Sequence, residues 1–219
     1  MPHLPGTRPT LFALLLSSPV VAQTPAATDA EPALATRLVD AACIVLTDLD
    51  STCDRALLLQ SEGLDGMVDL LIVTGAETSS ILVARDIARY GVTIEDRARL
   101  EAGPDGTLNL HSQQTGFGRY PWFETLTIAP RDGAFFVVGH AYGTYDRPSG
   151  GDFSCTIDLQ RGQWQATAVR IAPETGDVVR EWDVSGRMDP GPVDIVWWSN
   201  REAPWHCEAI FTEWLGASP

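Results

Sequence analysis

The amino-acid sequence predicts a mainly β protein, folded as an antiparallel sandwich or a strongly curved sheet with a short N-terminal helix. Many short segments alternate apolar and polar residues, as in residues 107–111 (Thr-Leu-Asn-Leu-His), and this pattern is typical of half-buried strands. Turn sequences separate these segments, for example residues 103–106 (Gly-Pro-Asp-Gly) and 131–133 (Arg-Asp-Gly). Short strands joined by such turns indicate an antiparallel arrangement.

The first 22 residues are predicted to be a signal peptide. Arg8 supplies the positive charge, residues 11–16 begin a short apolar region, and residues 20–22 (Val-Val-Ala) resemble a cleavage site. The apolar region is too short for a transmembrane helix, although an uncleaved anchor is the alternative. We therefore expect a mature chain without a membrane span, in the periplasm or secreted.

The mature chain is predicted to be one domain after a flexible leader. Residues 23–32 are rich in Ala, Thr and Pro, which is typical of a leader, and residues 33–219 form a single β-rich domain. With 44% hydrophobic and 20% charged residues, the composition is that of an ordinary globular protein. No repeat or clear internal boundary interrupts the domain.

One helix and a series of strands are predicted in order. Apolar residues recur at helical spacing between residues 31 and 43, which predicts the short helix. Residues 80–90 fit either a strand or a helix. The other strand candidates are residues 56–59, 68–73, 107–111, 122–128, 134–145, 153–159, 164–171, 178–184 and 193–198. The Asp-Gly pair at residues 132–133 predicts a tight hairpin, because both residues tolerate the positive φ that such turns need.

Export gives the four cysteines a structural interpretation. An even number of cysteines in an oxidising compartment favours disulfides over metal binding or catalysis. Of the three possible connectivities, we favour Cys43–Cys53 and Cys155–Cys207, since the first closes a local loop and the second ties the C-terminal segment to the body. Buried free thiols are the alternative.

The charge balance excludes some partners. The 29 acidic residues outnumber the 15 basic ones, all of them Arg, and the formal net charge is −14. Nucleic acid requires a cationic surface, so no nucleic-acid partner is expected. No cofactor is expected either, with calcium as the exception: Asp48, Asp50 and Asp54 could present oxygens to one hard cation. The stretch lacks the sharp Gly turn and terminal acid of a competent calcium loop, so a solvated acidic turn is the simpler interpretation.

The aromatic residues provide the candidate binding site. All seven Trp lie in the second half of the chain, where exposed rings could stack on sugars or anchor a protein partner. The candidate surface comprises Trp122, Trp197, Trp198, Arg201 and Trp205. Trp197 and Trp198 are adjacent, so one ring should face the core and the other should face outward. Core packing of all these rings is the competing interpretation.

Sequence motifs for catalysis are absent. There is no Gly-x-Ser-x-Gly elbow, and the absence of Lys excludes a Ser-x-x-Lys motif. No histidine pair has the spacing typical of a zinc site. We therefore predict a non-enzymatic envelope protein that binds a protein or glycan through an aromatic patch. The alternatives are a polysaccharide-directed hydrolase with a carboxylate pair formed only in the fold, and a purely structural module.

The middle of the chain also resembles a family of uncharacterised exported proteobacterial proteins. The matching pieces are Gly118-Arg119, Trp122, residues 126–128, residues 131–135, Gly139, Tyr142, Tyr145-Asp146, Cys155 and Gly162, preceded by residues 54–59 and 69–72. The resemblance implies a signal peptide and a β-rich domain, and it implies no activity. Cys53 stands where an Asp-rich, Gly-containing loop of the relatives would favour Gly.

Overall fold

The predicted mainly β architecture is confirmed. The structure, a computed structural model, describes residues 35–44, 54–74, 80–91, 93–198 and 206–216. The strands are β1 (Leu38–Ile44), β2 (Asp54–Gln60), β3 (Met67–Thr74), β4 (Ser80–Arg89), β5 (Arg99–Ala102), β6 (Leu108–Gln114), β7 (Trp122–Arg131), β8 (Ala134–Tyr145), β9 (Asp152–Asp158), β10 (Gln163–Ile171), β11 (Val178–Arg187) and β12 (Val193–Asp194). A 3₁₀ turn spans Pro104–Gly106, and helix α1 spans Glu208–Gly216.

The strands form two antiparallel sheets in chain order. The smaller sheet has the order β1-β2-β3-β4, and the larger sheet runs from β5 to β11, with β12 paired to β8. The sheets approach each other at β1 and β5, where the backbone N–H of Leu100 donates to Asp40 Oδ2 at 2.6 Å. The predicted hairpin at residues 132–133 is present between β7 and β8, and Asp132 and Gly133 both have positive φ.

The N-terminal helix ends earlier than the apolar spacing predicts. Among the described residues of this stretch, 35–37 are helical, and the chain then enters β1 at Leu38. Strand β1 pairs with β2, for example Ala42 opposite Ala56, and Val39 and Ala42 pack against the core. Pairing with a neighbouring strand therefore overrides a weak local preference for helix.

A bulge explains the ambiguous pattern of residues 80–90. These residues form β4, but three residues lie between the partners of Leu70 and Val68, so the register shifts. Asp86 adopts a positive φ of 51°, and its backbone N–H donates to the buried carboxylate of Asp69 at 3.0 Å. The bulge interrupts the alternation of inward and outward residues along the strand, so that Ala84, Ile87 and Ala88 are all buried. The spacing of these three buried residues resembles that of the apolar face of a helix.

The core lies on one face of each sheet. In the larger sheet, inward residues alternate with outward ones along each strand, which is the expected period of two. The inward residues include Leu108, Leu126, Val137, Phe153 and Ala166. Helix α1 packs on β10, and the Trp214 indole N–H donates to the backbone carbonyl of Val169 at 3.2 Å. Within the described ranges, no helix has the length and apolar character that a membrane span requires.

The predicted disulfide between Cys155 and Cys207 is confirmed. It joins β9 to the residue that precedes helix α1, across a sequence separation of 52 residues. Cys43 is also disulfide-bonded, whereas its predicted partner Cys53 lies outside the described residues. The bond holds the helix against the sheet, where Phe211 and Trp214 contact Phe153.

Removing this disulfide should destabilise the protein strongly. For the double variant Cys155→Ala/Cys207→Ala, a closed loop of 52 residues predicts a decrease of about 4 kcal/mol in the free energy of unfolding. Urea denaturation followed by tryptophan fluorescence measures this quantity. A decrease below about 1 kcal/mol would mean that helix α1 is held by packing alone.

Candidate functional site

The structure separates the aromatic residues of the predicted surface. Trp122 and Trp198 are buried, at 7% and 4% exposure, whereas Trp197 is 78% exposed. The adjacent rings of Trp197 and Trp198 thus have opposite environments, as expected, although residues 195–197 form a turn rather than a strand. Arg201 and Trp205 lie outside the described residues. Trp122 and Trp198 therefore belong to the interior and do not share an exposed surface with Trp197.

The predicted calcium ligands are largely outside the described part of the chain. Asp48 and Asp50 fall there, and Asp54 is buried at the start of β2. Among the described residues, no group of three or more His, Cys, Asp or Glu side chains is arranged to hold a metal ion. The calcium site stays a prediction.

A cavity of about 290 Å³ lies at one end of the larger sheet, and we call it the aromatic–arginine pocket. Four parts of the chain form it: the β6–β7 loop, the β8–β9 loop, the β10–β11 hairpin and helix α1. Its principal side chains are Arg119, Tyr120, Asp146, Arg170, Val179 and Trp214. Antiparallel neighbours place alternate loops at the same end of a sheet, which is why residues far apart in sequence meet here.

One wall of the pocket is apolar and accessible. Tyr120, Val179 and Leu215 are exposed at 38%, 56% and 42%, although all three are large hydrophobic residues. The Tyr120 ring contacts the buried Trp214 ring edge-on, with 5.8 Å between the ring centroids. Apolar side chains grouped around a concavity are typical of interaction sites, whereas isolated ones need no explanation.

An ion pair joins the β6–β7 and β8–β9 loops beside this wall, and the Arg119 guanidinium lies over the Tyr120 ring, 5.1 Å from its centroid. Arg119 Nε and Nη2 donate to Asp146 Oδ1 and Oδ2 at 2.6 and 2.9 Å, and Ser149 Oγ donates to Oδ2 at 2.9 Å. The hydrogen bonds from Arg119 are the main reason why the pKa of Asp146 lies below its usual range. The same contact raises the pKa of Arg119, so the pair stays fully charged at neutral pH.

A second guanidinium in the pocket is not engaged. Arg170, at the end of β10, is half-buried and makes no ion pair or hydrogen bond with any residue that the structure describes. Its cross-strand neighbour Arg180 differs, because it pairs with Glu213 at 2.6 Å and stacks over Trp182. The described residues of the lining include two arginines and one aspartate, and their net charge is therefore +1 in a chain of net charge −14.

Buried Asp96 supports the β6–β7 loop that carries Arg119 and Tyr120. Its carboxylate accepts hydrogen bonds from the backbone N–H and Oγ1 of Thr115, at 2.8 and 2.6 Å, and from the backbone N–H of Gly116. Burial alone would raise the pKa of Asp96, but these hydrogen bonds outweigh it and the pKa is lowered. The Thr115 carbonyl in turn accepts a hydrogen bond from Arg147, which connects this loop to the β8–β9 loop.

The inner face of the larger sheet holds a separate polar cluster that the sequence does not reveal. His140 Nε2 lies 2.7 Å from Glu124 Oε1, and both residues are buried. The Trp198 ring packs edge-on against the His140 ring, with 5.6 Å between the ring centroids. Ser112 Oγ and Trp198 Nε1 are also buried, without a hydrogen-bond partner among the described residues. This acid–imidazole pair resembles catalytic chemistry, but it is enclosed by the core and does not face the pocket.

Comparisons with known proteins give no relative for this chain. No protein-family model matches it, and neither curated proteins nor solved structures give a significant match. The resemblance to exported proteobacterial proteins therefore stays a prediction.

Replacing Asp146 should weaken the protein in a pH-dependent way. The folded pKa of Asp146 is lowered, so its contribution is present above the unfolded pKa of about 3.9 and is lost as pH falls through the folded value. Asp146→Asn should therefore decrease the free energy of unfolding by about 1 kcal/mol at pH 7. Urea denaturation should show that the difference in the free energy of unfolding between Asp146→Asn and wild type becomes smaller toward pH 2.

The matched control is Asp132→Asn, because that carboxylate is 95% exposed and Asn tolerates its positive φ. This variant should change stability by less than about 0.5 kcal/mol at either pH. Equal effects of the two substitutions would contradict a role for Asp146 in holding the loops.

Glu124 and His140 should be energetically coupled. A double-mutant cycle with Glu124→Ala and His140→Ala should give a coupling energy of about 1–3 kcal/mol, because each single change leaves a buried polar partner behind. The exposed pair His111–Glu101, at 3.2 Å, is the control and should couple by less than about 0.5 kcal/mol. Equal coupling energies in the two pairs would contradict the expectation that burial strengthens the interaction between Glu124 and His140.

Proposed function

We propose that this chain is an exported, non-enzymatic binding module that holds a carboxylate-bearing apolar group of a protein partner in the aromatic–arginine pocket. The observation that carries the proposal is the free guanidinium of Arg170 beside the exposed side chains of Tyr120, Val179 and Leu215. A ligand that offers an apolar surface and one carboxylate would complement both features.

The size of the pocket favours one anchoring residue of a partner over a larger ligand. Pockets for drug-sized molecules measure about 300–1,000 Å³, and this cavity of about 290 Å³ lies at the lower end of that range. Aromatic and arginine side chains are also the residue types that dominate binding energy in protein interfaces. The C-terminal residue of a peptide, with an apolar side chain and a free carboxylate, fits this description.

Electrostatics supports an anionic group at this position. The chain as a whole repels acidic partners, so a local lining charge of +1 distinguishes the pocket from the rest of the surface. Asp146 neutralises Arg119 but does not engage Arg170. A carboxylate can form two parallel hydrogen bonds with a guanidinium, which gives direction as well as attraction.

Export rests on the predicted signal peptide and is supported by the disulfide. The Cys155–Cys207 bond suits an oxidising compartment, since cytosolic thiols are kept reduced. The hydrolase alternative receives less support from this site. Asp146 is the sole acid among the described residues that line the pocket, and Arg119 and Ser149 already occupy its oxygens.

N-acetyl-L-phenylalanine and its amide test the proposal. The mature chain, residues 23–219, should bind the acid at least about tenfold more tightly than the amide, because a charge-assisted hydrogen bond contributes about 1.5–3 kcal/mol. Arg170→Gln should abolish this preference, and Tyr120→Ala should weaken binding of both probes. Isothermal titration calorimetry measures the affinities of both probes for the wild-type chain and the two variants.

Arg131→Gln is the control, because Arg131 is 65% exposed at the β7–β8 hairpin and lies outside the pocket. It should leave both affinities unchanged. Equal binding of acid and amide to the wild-type chain, or no binding of either, would overturn the proposal.

A further inference from the structure

The larger sheet ends in a long strand with one open edge. Strand β11 pairs with β10, and the structure describes no strand on its other side. The remaining edge strands are protected, because β1 and β5 approach each other and β4 carries the bulge at Asp86. Such features prevent an edge from pairing with another chain. From Arg180 to Arg187, by contrast, the register with β10 is unbroken and the strand contains no proline, so its edge can accept a further strand.

The β10–β11 ladder shows which backbone groups point to the open edge. The Met188 N–H donates to the Gly162 carbonyl at 3.0 Å, in the same register that places Gln163 opposite Arg187. Hydrogen-bonded and non-hydrogen-bonded pairs alternate along an antiparallel ladder, so the even-numbered residues of β11 bond to β10. The N–H and C=O groups of residues 181, 183, 185 and 187 therefore face the open edge.

The side chains of these residues carry charges of both signs on the outer face of the sheet. Glu181 and Arg187 are exposed, and neither makes an ion pair or hydrogen bond with any residue that the structure describes. Asp183 accepts a hydrogen bond from Gln165 Nε2 at 2.9 Å. The even-numbered residues point the other way, and Val184 among them packs against the core. The open edge thus presents an acid near its start and a base at its end.

One register of antiparallel self-pairing matches these charges. If two copies meet with a two-fold axis at Val184, Glu181 of each copy lies directly opposite Arg187 of the other, and Asp183 lies opposite Ser185. The backbone groups of these residues face the open edge, so the register also provides about eight N–H···O bonds. The two Val184 side chains meet on the axis and extend the apolar inner face.

The neighbouring registers place like charges opposite each other. With the axis at Asp183, this carboxylate faces its own copy, and with the axis at Trp182, Glu181 faces Asp183. With the axis at Ser185, Asp183 gains an arginine opposite it, but Glu181 faces the exposed Asp189 and the overlap is shorter. Like charges directly opposite each other weaken strand pairing, whereas opposite charges strengthen it. The charges of β11 therefore favour one self-pairing register over its neighbours.

The position of β11 leaves room for a second copy. The smaller sheet approaches the larger one at β1 and β5, which is the opposite edge of the larger sheet. Helix α1 packs on the inner face, where Glu213 pairs with Arg180 at 2.6 Å. A two-fold axis through Val184, perpendicular to the sheet, would place the two smaller sheets at the far ends of the joined sheet.

We propose that β11 is a dimerisation edge, to which a second copy of this chain adds antiparallel with Glu181 opposite Arg187. The two larger sheets then form one continuous sheet. The net charge of −14 opposes association, and we therefore expect a weak dimer. The proposal is separate from the proposed function, because neither Glu181 nor Arg187 lines the aromatic–arginine pocket.

Charge reversal tests this register. Sedimentation equilibrium of the mature chain, residues 23–219, should show a monomer–dimer equilibrium with a dissociation constant below about 200 μM. Glu181→Arg and Arg187→Glu should each weaken dimerisation at least about tenfold, because each change places two pairs of like charges opposite each other. The double variant Glu181→Arg/Arg187→Glu should restore the wild-type affinity, since it exchanges the two charges and keeps both ion pairs.

A mixture of the two single variants is the sharpest test. Each variant alone should be largely monomeric, but their equimolar mixture should form a heterodimer of wild-type affinity, because both ion pairs form again between the unlike chains. Heterodimer formation would also show that both variants are folded. Glu95→Arg is the matched control, since it makes the same charge change at an exposed residue before β5, and it should leave dimerisation unchanged.

Three results would overturn the proposal. The first is a wild-type chain that stays monomeric at about 200 μM, which would leave the edge to a strand of another protein. The second is a dimer that Glu181→Arg and Glu95→Arg affect equally. The third is a mixture of Glu181→Arg and Arg187→Glu that associates no better than either variant alone.

Discussion

The ion pair between Arg119 and Asp146 determines the geometry of one end of the larger sheet. Two loops that are distant in sequence meet at this contact, and the Asp146 carboxylate also accepts a hydrogen bond from Ser149 within its own loop. Asp146 neutralises the charge of Arg119, and among the described residues of the pocket Arg170 is then the one cation without an ion pair. The charge that we assign to ligand binding is therefore a consequence of this structural ion pair.

Helix α1 supplies the other half of the pocket and depends on a covalent constraint. Trp214 and Leu215 belong to a helix of nine residues, which is too short to be stable without tertiary contacts. The Cys155–Cys207 bond and the Trp214–Val169 hydrogen bond place it on β10. The disulfide thus contributes directly to the shape of the site.

The sequence predicts the fold well, because hydrophobic alternation and turn residues are local signals. The hairpin at Asp132–Gly133 follows from such signals and is confirmed. The Cys155–Cys207 pairing, which follows instead from the number and spacing of the cysteines, is also confirmed. Residues 38–44 show where local reasoning fails, since their helical spacing yields to pairing between β1 and β2. The bulge at Asp86 likewise depends on the buried Asp69, which no local pattern reveals.

The candidate site was much harder to predict, because its residues come together only through the strand order. Arg119 and Asp146 are both present in the pieces that resemble exported proteins, but their ion pair joins residues 27 positions apart. Trp214 and Arg170 are ordinary residues in the sequence, and only the packing of α1 on β10 makes them neighbours in a cavity. The abundance of tryptophan predicts a surface that includes Trp122 and Trp198, but the core buries both rings.

In the proposed site, Arg119 is committed to Asp146, while Arg170 is available to a ligand. The most direct measurement is NMR spectroscopy of the arginine side-chain Nε–H groups during titration with N-acetyl-L-phenylalanine. We expect the Arg119 signal to be protected from exchange and unchanged, while the Arg170 signal shifts with the acid. A shift of Arg119 with Arg170 unaffected would contradict the account.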